Sequence, residues 1–170
     1  MEITDDSGAN VFFDLERKKN KRRSLNLYKA EIFSVTKRGE AEVIFYAKDP
    51  DIGYDLSIQE MRYYMSGQDD ARQGYDPWPS MAGGFAFGAA TVFYLEGGYV
   101  PFLTPFIYGF SMQIPYIKIK ESSIRDKRNT ISDFYVEGYN KTARSKKLLS
   151  NFAATMAGVV VSSVIVEVSR

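Results

Sequence analysis

Residues 80–117, SMAGGFAFGAATVFYLEGGYVPFLTPFIYGFSMQIPYI, carry one charged side chain, Glu96, in 38 positions. Residues 148–168, LLSNFAATMAGVVVSSVIVEV, carry none until Glu167. A helix of about 20 apolar residues crosses a hydrocarbon core, so the second run suffices for one crossing and the first has room for a hairpin. The first run divides at Glu96-Gly97-Gly98. Residues 80–95 would rise about 24 Å as a helix, and residues 99–117 carry Pro101 and Pro105 in their first two turns. A short arm, a Gly-Gly turn and a Pro-broken arm predict a tight helical hairpin whose turn just reaches the far interface. Glu96 has two readings: the mark of that turn, or an intramembrane acid with a function.

Outward from these runs the chain is polar. Residues 118–147 hold nine basic and four acidic side chains. Ile131, Phe134, Tyr135, Tyr139 and Thr142 or Ala143 recur at three- and four-residue spacing, which predicts an amphipathic helix. Lys146-Lys147 then abut residues 148–170, the anchor position of a transmembrane helix. Before the hairpin, residues 59–75 read as a partly helical connector, and Pro77-Trp78-Pro79 stops it. Trp78 suits a headgroup boundary.

Residues 1–64 predict a small antiparallel β domain of SH3-like kind. Short apolar or alternating pieces occur at 10–15, 25–36, 42–47 and 54–58, with turns at Gly39 and at 49–53. The fold class is therefore an α+β membrane protein, with domains at 1–64, 65–79 (connector), 80–117, 118–147 and 148–170.

Composition removes much chemistry. Cysteine and histidine are absent, which excludes disulfides, thiolate metal sites and every His-containing triad. No phosphate loop, GxSxG or zinc motif is present, so no catalytic residue and no cofactor is expected. Twenty-two basic residues against twenty-one acidic ones create no global field for nucleic acid. Residues 1–15 lack the basic and apolar regions of a signal peptide, so the chain is expected either never to be exported or to be a mature form.

Small residues keep register in the apolar runs. Gly84 and Gly88 form GxxxG, and Ala154, Gly158 and Ser162 repeat the spacing, which lets helix backbones approach within the chain or with another subunit. Arg17, Lys18, Lys19, Lys21, Arg22 and Arg23 form a basic run that fits either anionic lipid or a solvated loop between strands. Trp78, Lys146 and Lys147 complete the expected interface set. Asp69-Asp70, with Asp76 or Glu60, is a carboxylate cluster without the spacing of a known cation loop.

The order of these parts, with YDLSIQE, GQDDARQGY, an apolar Gly/Pro-rich hairpin and FYVEGYNKTARSKK before a last apolar helix, resembles a family of uncharacterised membrane proteins widespread in Bacteroidota. The matching positions are Gly67, Asp70 and Ala71, then Tyr139, Ala143, Lys146 and Lys147. The resemblance implies architecture and carries no activity.

The expectation is a non-catalytic membrane accessory or scaffold subunit, in contact with lipids and with other subunits or copies of itself, in a bacterial inner membrane. The basic clusters would share the cytoplasmic face of an unexported chain. The alternative is a soluble or peripheral binding domain with residues 80–117 as buried core, in keeping with a mean hydropathy of −0.27.

Overall fold

The computed structural model describes residues 2–5, 8–17, 21–36, 39–95, 99–114 and 117–169. They form two compact units, Met1–Gln59 and Glu60–Arg170.

In the first unit, β1 (Glu2–Asp5), β2 (Asn10–Arg17) and β3 (Lys21–Tyr28) make an antiparallel meander in that order. Side chains alternate across a strand, so Val11 and Phe13 are buried while Phe12 between them is exposed. Their partners across the ladder are Leu27 and Leu25. β4 (Ser34–Val35) pairs with β5 (Val43–Ile44) as a separate ribbon. Beside it the rings of Phe33 and Tyr46 lie 5.6 Å apart and those of Tyr46 and Tyr54 5.4 Å. The Tyr46 hydroxyl donates to the Leu56 carbonyl at 2.7 Å.

The expected turns are present. Gly39 and Gly53 have φ of 83° and 84°, the left-handed region that glycine enters without steric cost. The expected barrel is replaced, among the described residues, by two small sheets that no ladder joins. Residues 54–58 supply a single bridge, Asp49 to Tyr54, in place of a strand.

The second unit is helical. α1 (Ile58–Gly74) is continuous where a partial helix was expected. α2 (Trp78–Tyr94) starts inside the predicted stop Pro77-Trp78-Pro79, with Pro79 in its first turn. A missing N–H costs nothing there. α3 (Val100–Ser111) is shorter than its apolar run and keeps Pro105 inside. Proline has no N–H for the carbonyl four residues back; the Thr104 hydroxyl donates to that carbonyl, on Pro101, at 2.6 Å.

α4 (Asp133–Val168) corrects the predicted division between 118–147 and 148–170. One helix of 36 residues runs through both, about 54 Å at 1.5 Å per residue. Lysine is a good helix former, and neither Gly nor Pro occurs between Gly138 and Gly158. The change from polar to apolar at Lys147 is a change of side-chain character without a break in the backbone.

The buried positions of α4 include Tyr135, Tyr139, Ala143, Lys147, Asn151, Thr155 and Val159, each four residues from the last. With 3.6 residues per turn, every such step advances about 40°. From Tyr139 to Val159 the stripe winds about 200° round the helix, so α4 offers one face to α1 and another to the hairpin. α3 runs antiparallel to α4. The Gln113 amide reaches the Arg144 carbonyl, a side chain on Gly109 would touch Leu148, and Phe106 meets Phe152 edge-on at 5.0 Å. The chain runs with α4 from Tyr75, just after α1, beside Lys146 to Phe85 of α2 beside Gly158.

Candidate functional site: two glycine crossings and an apolar exterior

At the apolar crossing, α2 and α4 touch backbone to backbone. A Cβ on Gly88 would strike the Thr155 carbonyl, and one on Gly158 the Phe85 carbonyl. Gly84 faces the Thr155 hydroxyl and the Tyr108 ring. Three of the predicted packing glycines thus meet at one place within the chain. Ser162 is buried one turn further on. Ala154 is only half-buried; its neighbour Thr155 occupies the contact. Tyr108 closes the hairpin by donating to the Ser80 carbonyl at 2.8 Å and stacking on Phe87 at 5.6 Å.

A second crossing escaped the sequence reading. A Cβ on Gly67 of α1 would run into the Tyr135 carbonyl, and one on Gly138 of α4 into the Tyr64 carbonyl. The signal available was the pair of isolated glycines, each inside a helical pattern, where glycine is unfavourable without a packing reason. Around this crossing lies a hydrogen-bonded network. Buried Asp70 accepts from the Tyr135 hydroxyl at 2.8 Å and from the Arg125 backbone N–H at 3.2 Å, and its other oxygen lies 3.3 Å from Arg125 Nε. The Ser123 and Tyr139 hydroxyls share a bond of 2.8 Å. Burial first, then the Asp70 carboxylate, pushes the Tyr135 hydroxyl above the usual tyrosine range. Ala71, Ile117, Tyr135, Tyr139 and Ala143 form the core here.

The resemblance positions Gly67, Asp70, Ala71, Tyr139 and Ala143 all belong to this crossing. Lys146 joins it by donating to the carbonyls of Arg72 and Tyr75 at 3.1 and 2.5 Å, a cation at the negative end of α1. Lys147 points elsewhere and is buried, 7% exposed. The pair predicted as an anchor is therefore divided between two tasks.

Asp69 and Asp70 are also divided. Asp69 is exposed beside Arg72, at 3.6 Å, while Asp70 is turned inward. No group of three metal-ligating side chains occurs among the described residues. Trp78 is 65% exposed at the start of α2. Lys18, Lys19 and Glu96 lie outside the described residues, as do the side chains of Arg17, Lys21, Arg22 and Arg23. The backbone pairs Arg17 with Lys21 at one end of the β2–β3 hairpin.

Large apolar side chains crowd the outside of the hairpin and of the second half of α4. Phe102, Phe106 and Phe110 of α3 are exposed, as are Val161, Val164 and Ile165 of α4. α4 is long and apolar enough to cross a membrane, and its most apolar window is only 28% buried. No family model, curated relative or solved structure matches this chain.

Proposed function

We propose that the chain is a non-catalytic membrane subunit, an accessory or scaffold part of a larger bacterial assembly, anchored by residues 148–168 and by the α2–α3 hairpin. The observation that carries this reading is the exterior of those helices. The core helix of a soluble protein is covered by its own chain, whereas only 28% of the apolar window of α4 is buried. Contiguous apolar surface of this kind marks contact with a membrane or a partner. The small residues Gly84, Gly88 and Gly158 serve packing within the chain, so contact with lipid or other subunits falls to the outward phenylalanines and valines.

The non-catalytic part of the proposal rests on the sequence, which has no histidine, cysteine or catalytic motif. In the inner-membrane orientation that the basic flanks favour, α1 and residues 117–147 lie on the cytoplasmic side and the end of α4 on the other. Carbonate extraction of membranes from cells expressing the tagged chain tests the anchoring. Retention in the pellet is the expected result; release into the supernatant overturns it and returns residues 80–117 to the soluble-core reading.

A further inference from the structure

We propose that the helical unit fits a thin bilayer, with the far boundary of the hydrocarbon at the tip of the α2–α3 hairpin and not at the end of α4. The step rests on the membrane reading above. The near boundary is marked at the start of α2. The Asp76 carboxylate accepts from the Trp78 backbone N–H at 3.0 Å, and the Trp78 side chain is exposed. A carboxylate stays in water, and an indole favours the headgroup level. Lys146 is bonded to the Tyr75 carbonyl just before, so the polar part of α4 ends at the same level.

At the other end of α2, Tyr94 is 84% exposed, and Tyr99, just ahead of α3, is 87% exposed. From Trp78 to Tyr94 the helix rises about 24 Å, against about 30 Å for an ordinary hydrocarbon core. Tilting only shortens that span. α4 is longer. Gly88 and Gly158 lie together at the crossing. Beyond it α2 continues to Tyr94 for about 9 Å and α4 to Val168 for about 15 Å. α4 therefore overhangs the hairpin by about one turn, and Val164, Ile165 and Val168 on that turn are exposed.

Polar groups decide which end sets the far boundary. The end of one helix and the start of the next leave carbonyls and N–H groups without helical partners, and hydrocarbon offers them none. Tyr94 and Tyr99 add two hydroxyls, and the sequence between the helices holds Glu96. A boundary at the end of α4 would submerge all of these by about one turn. A boundary at the tip submerges none of them. It lifts Val164, Ile165 and Val168 to headgroup level, beside exposed Glu167. Losing the burial of three side chains is the smaller penalty, because each backbone group stranded in hydrocarbon is costly by itself.

The test reconstitutes the full chain in phosphatidylcholine vesicles whose monounsaturated chains have fourteen, eighteen or twenty-two carbons. Thermal unfolding followed by circular dichroism is expected to give the highest midpoint with the shortest chains and a fall of several degrees to the longest. The chain has no cysteine, so Tyr94→Cys, Val164→Cys and Ala157→Cys each carry a single thiol, at exposed positions. A water-soluble maleimide present on both sides reads their level, since a thiol in hydrocarbon keeps its proton and does not react. In the eighteen-carbon vesicles Tyr94→Cys and Val164→Cys are expected to be labelled and Ala157→Cys to stay unlabelled. Protection of all three thiols, or a midpoint that does not fall as the chains lengthen, overturns the thin fit and leaves the membrane reading standing. Labelling of Ala157→Cys as fast as the other two sinks the membrane reading, and the thin fit with it.

Discussion

The two crossings on α4 use the same geometry in different surroundings. At each, a glycine on one helix meets a carbonyl on the other, and the contact is reciprocal: Gly67 with Gly138, Gly88 with Gly158. The first is ringed by Asp70, Tyr135, Arg125, Ser123 and Tyr139 in hydrogen bonds. At the second, the Thr155 hydroxyl turns back to the Asn151 carbonyl of its own helix at 2.8 Å, and the contact between helices is packing. Where water surrounds a helix pair, apolar burial drives association and directional bonds fix the geometry. In hydrocarbon that drive is absent, and close fit takes its place. The contrast divides α4 between Ala143 and Thr155 into a hydrogen-bonded part and a packed part, although the backbone passes through unaltered; under the proposed anchoring, this is where water would give way to lipid.

The largest effects should come from filling the crossings. Gly138→Ala and Gly158→Ala each put a methyl group against backbone, which cannot turn aside as a flexible side chain would. Each is expected to cost about 1–3 kcal/mol of stability, the range for overpacking. The comparison makes a further demand. The loss in Gly158→Ala should change between detergent and lipid bilayer, because lipid competes for that contact, while the loss in Gly138→Ala should not. Equal lipid dependence of the two variants, measured by thermal unfolding, would break the comparison.

Asp70→Ala should rank next. It leaves the Tyr135 hydroxyl and the Arg125 N–H without their acceptor, at about 1–3 kcal/mol. The Arg125 side chain is 58% exposed, so its ion pair adds little. The pH dependence has a definite sign. The folded protein raises the Tyr135 pKa above its ordinary 10.0. The stabilisation this represents is complete below pH 10.0 and is lost as pH rises through the folded-state value. An ultraviolet titration of wild type against Tyr135→Phe should show one tyrosine ionising late, and Asp70→Ala should bring that step earlier. A Tyr135 that titrates with the exposed tyrosines would contradict the buried network.

These residues also show what could be read in the sequence. The apolar runs, the hairpin break, Gly39 and Gly53 as turns, and Gly84, Gly88 and Gly158 as packing positions were legible, because periodicity and glycine geometry act locally. The continuity of α4 was hidden because Lys146-Lys147 resembles a boundary in charge while remaining favourable to helix in backbone terms. The winding stripe was hidden for another reason. Its members Lys147, Asn151 and Thr155 are polar, and a pattern search for apolar faces passes over them. Asp70 looked like half of a carboxylate pair, since nothing local says that residue 125 folds over it. In the first unit the piece expected at 10–15 falls within β2, but the one expected at 25–36 covers only the end of β3 and runs on into β4, since how short strands assemble into sheets depends on pairing that local alternation does not encode.

The smallest effect tests the apolar side at a single atom. Thr104→Val removes the hydroxyl that serves the Pro101 carbonyl and should cost about 1 kcal/mol, as for one unmade bond. Pro105→Ala restores the N–H that proline removed, so in that background the carbonyl has a donor again and Thr104→Val should cost almost nothing. The double-mutant cycle therefore has an expected coupling close to the full single-mutant loss. A cost that is the same in both backgrounds would mean that the hydroxyl does not serve that carbonyl, and that some other group repairs the proline gap. The distinction matters for the comparison between crossings. α3 places its Tyr108 ring against Gly84, beside the contact of Gly88 with Thr155, and a helix that borders a close-packed crossing must keep its own backbone satisfied.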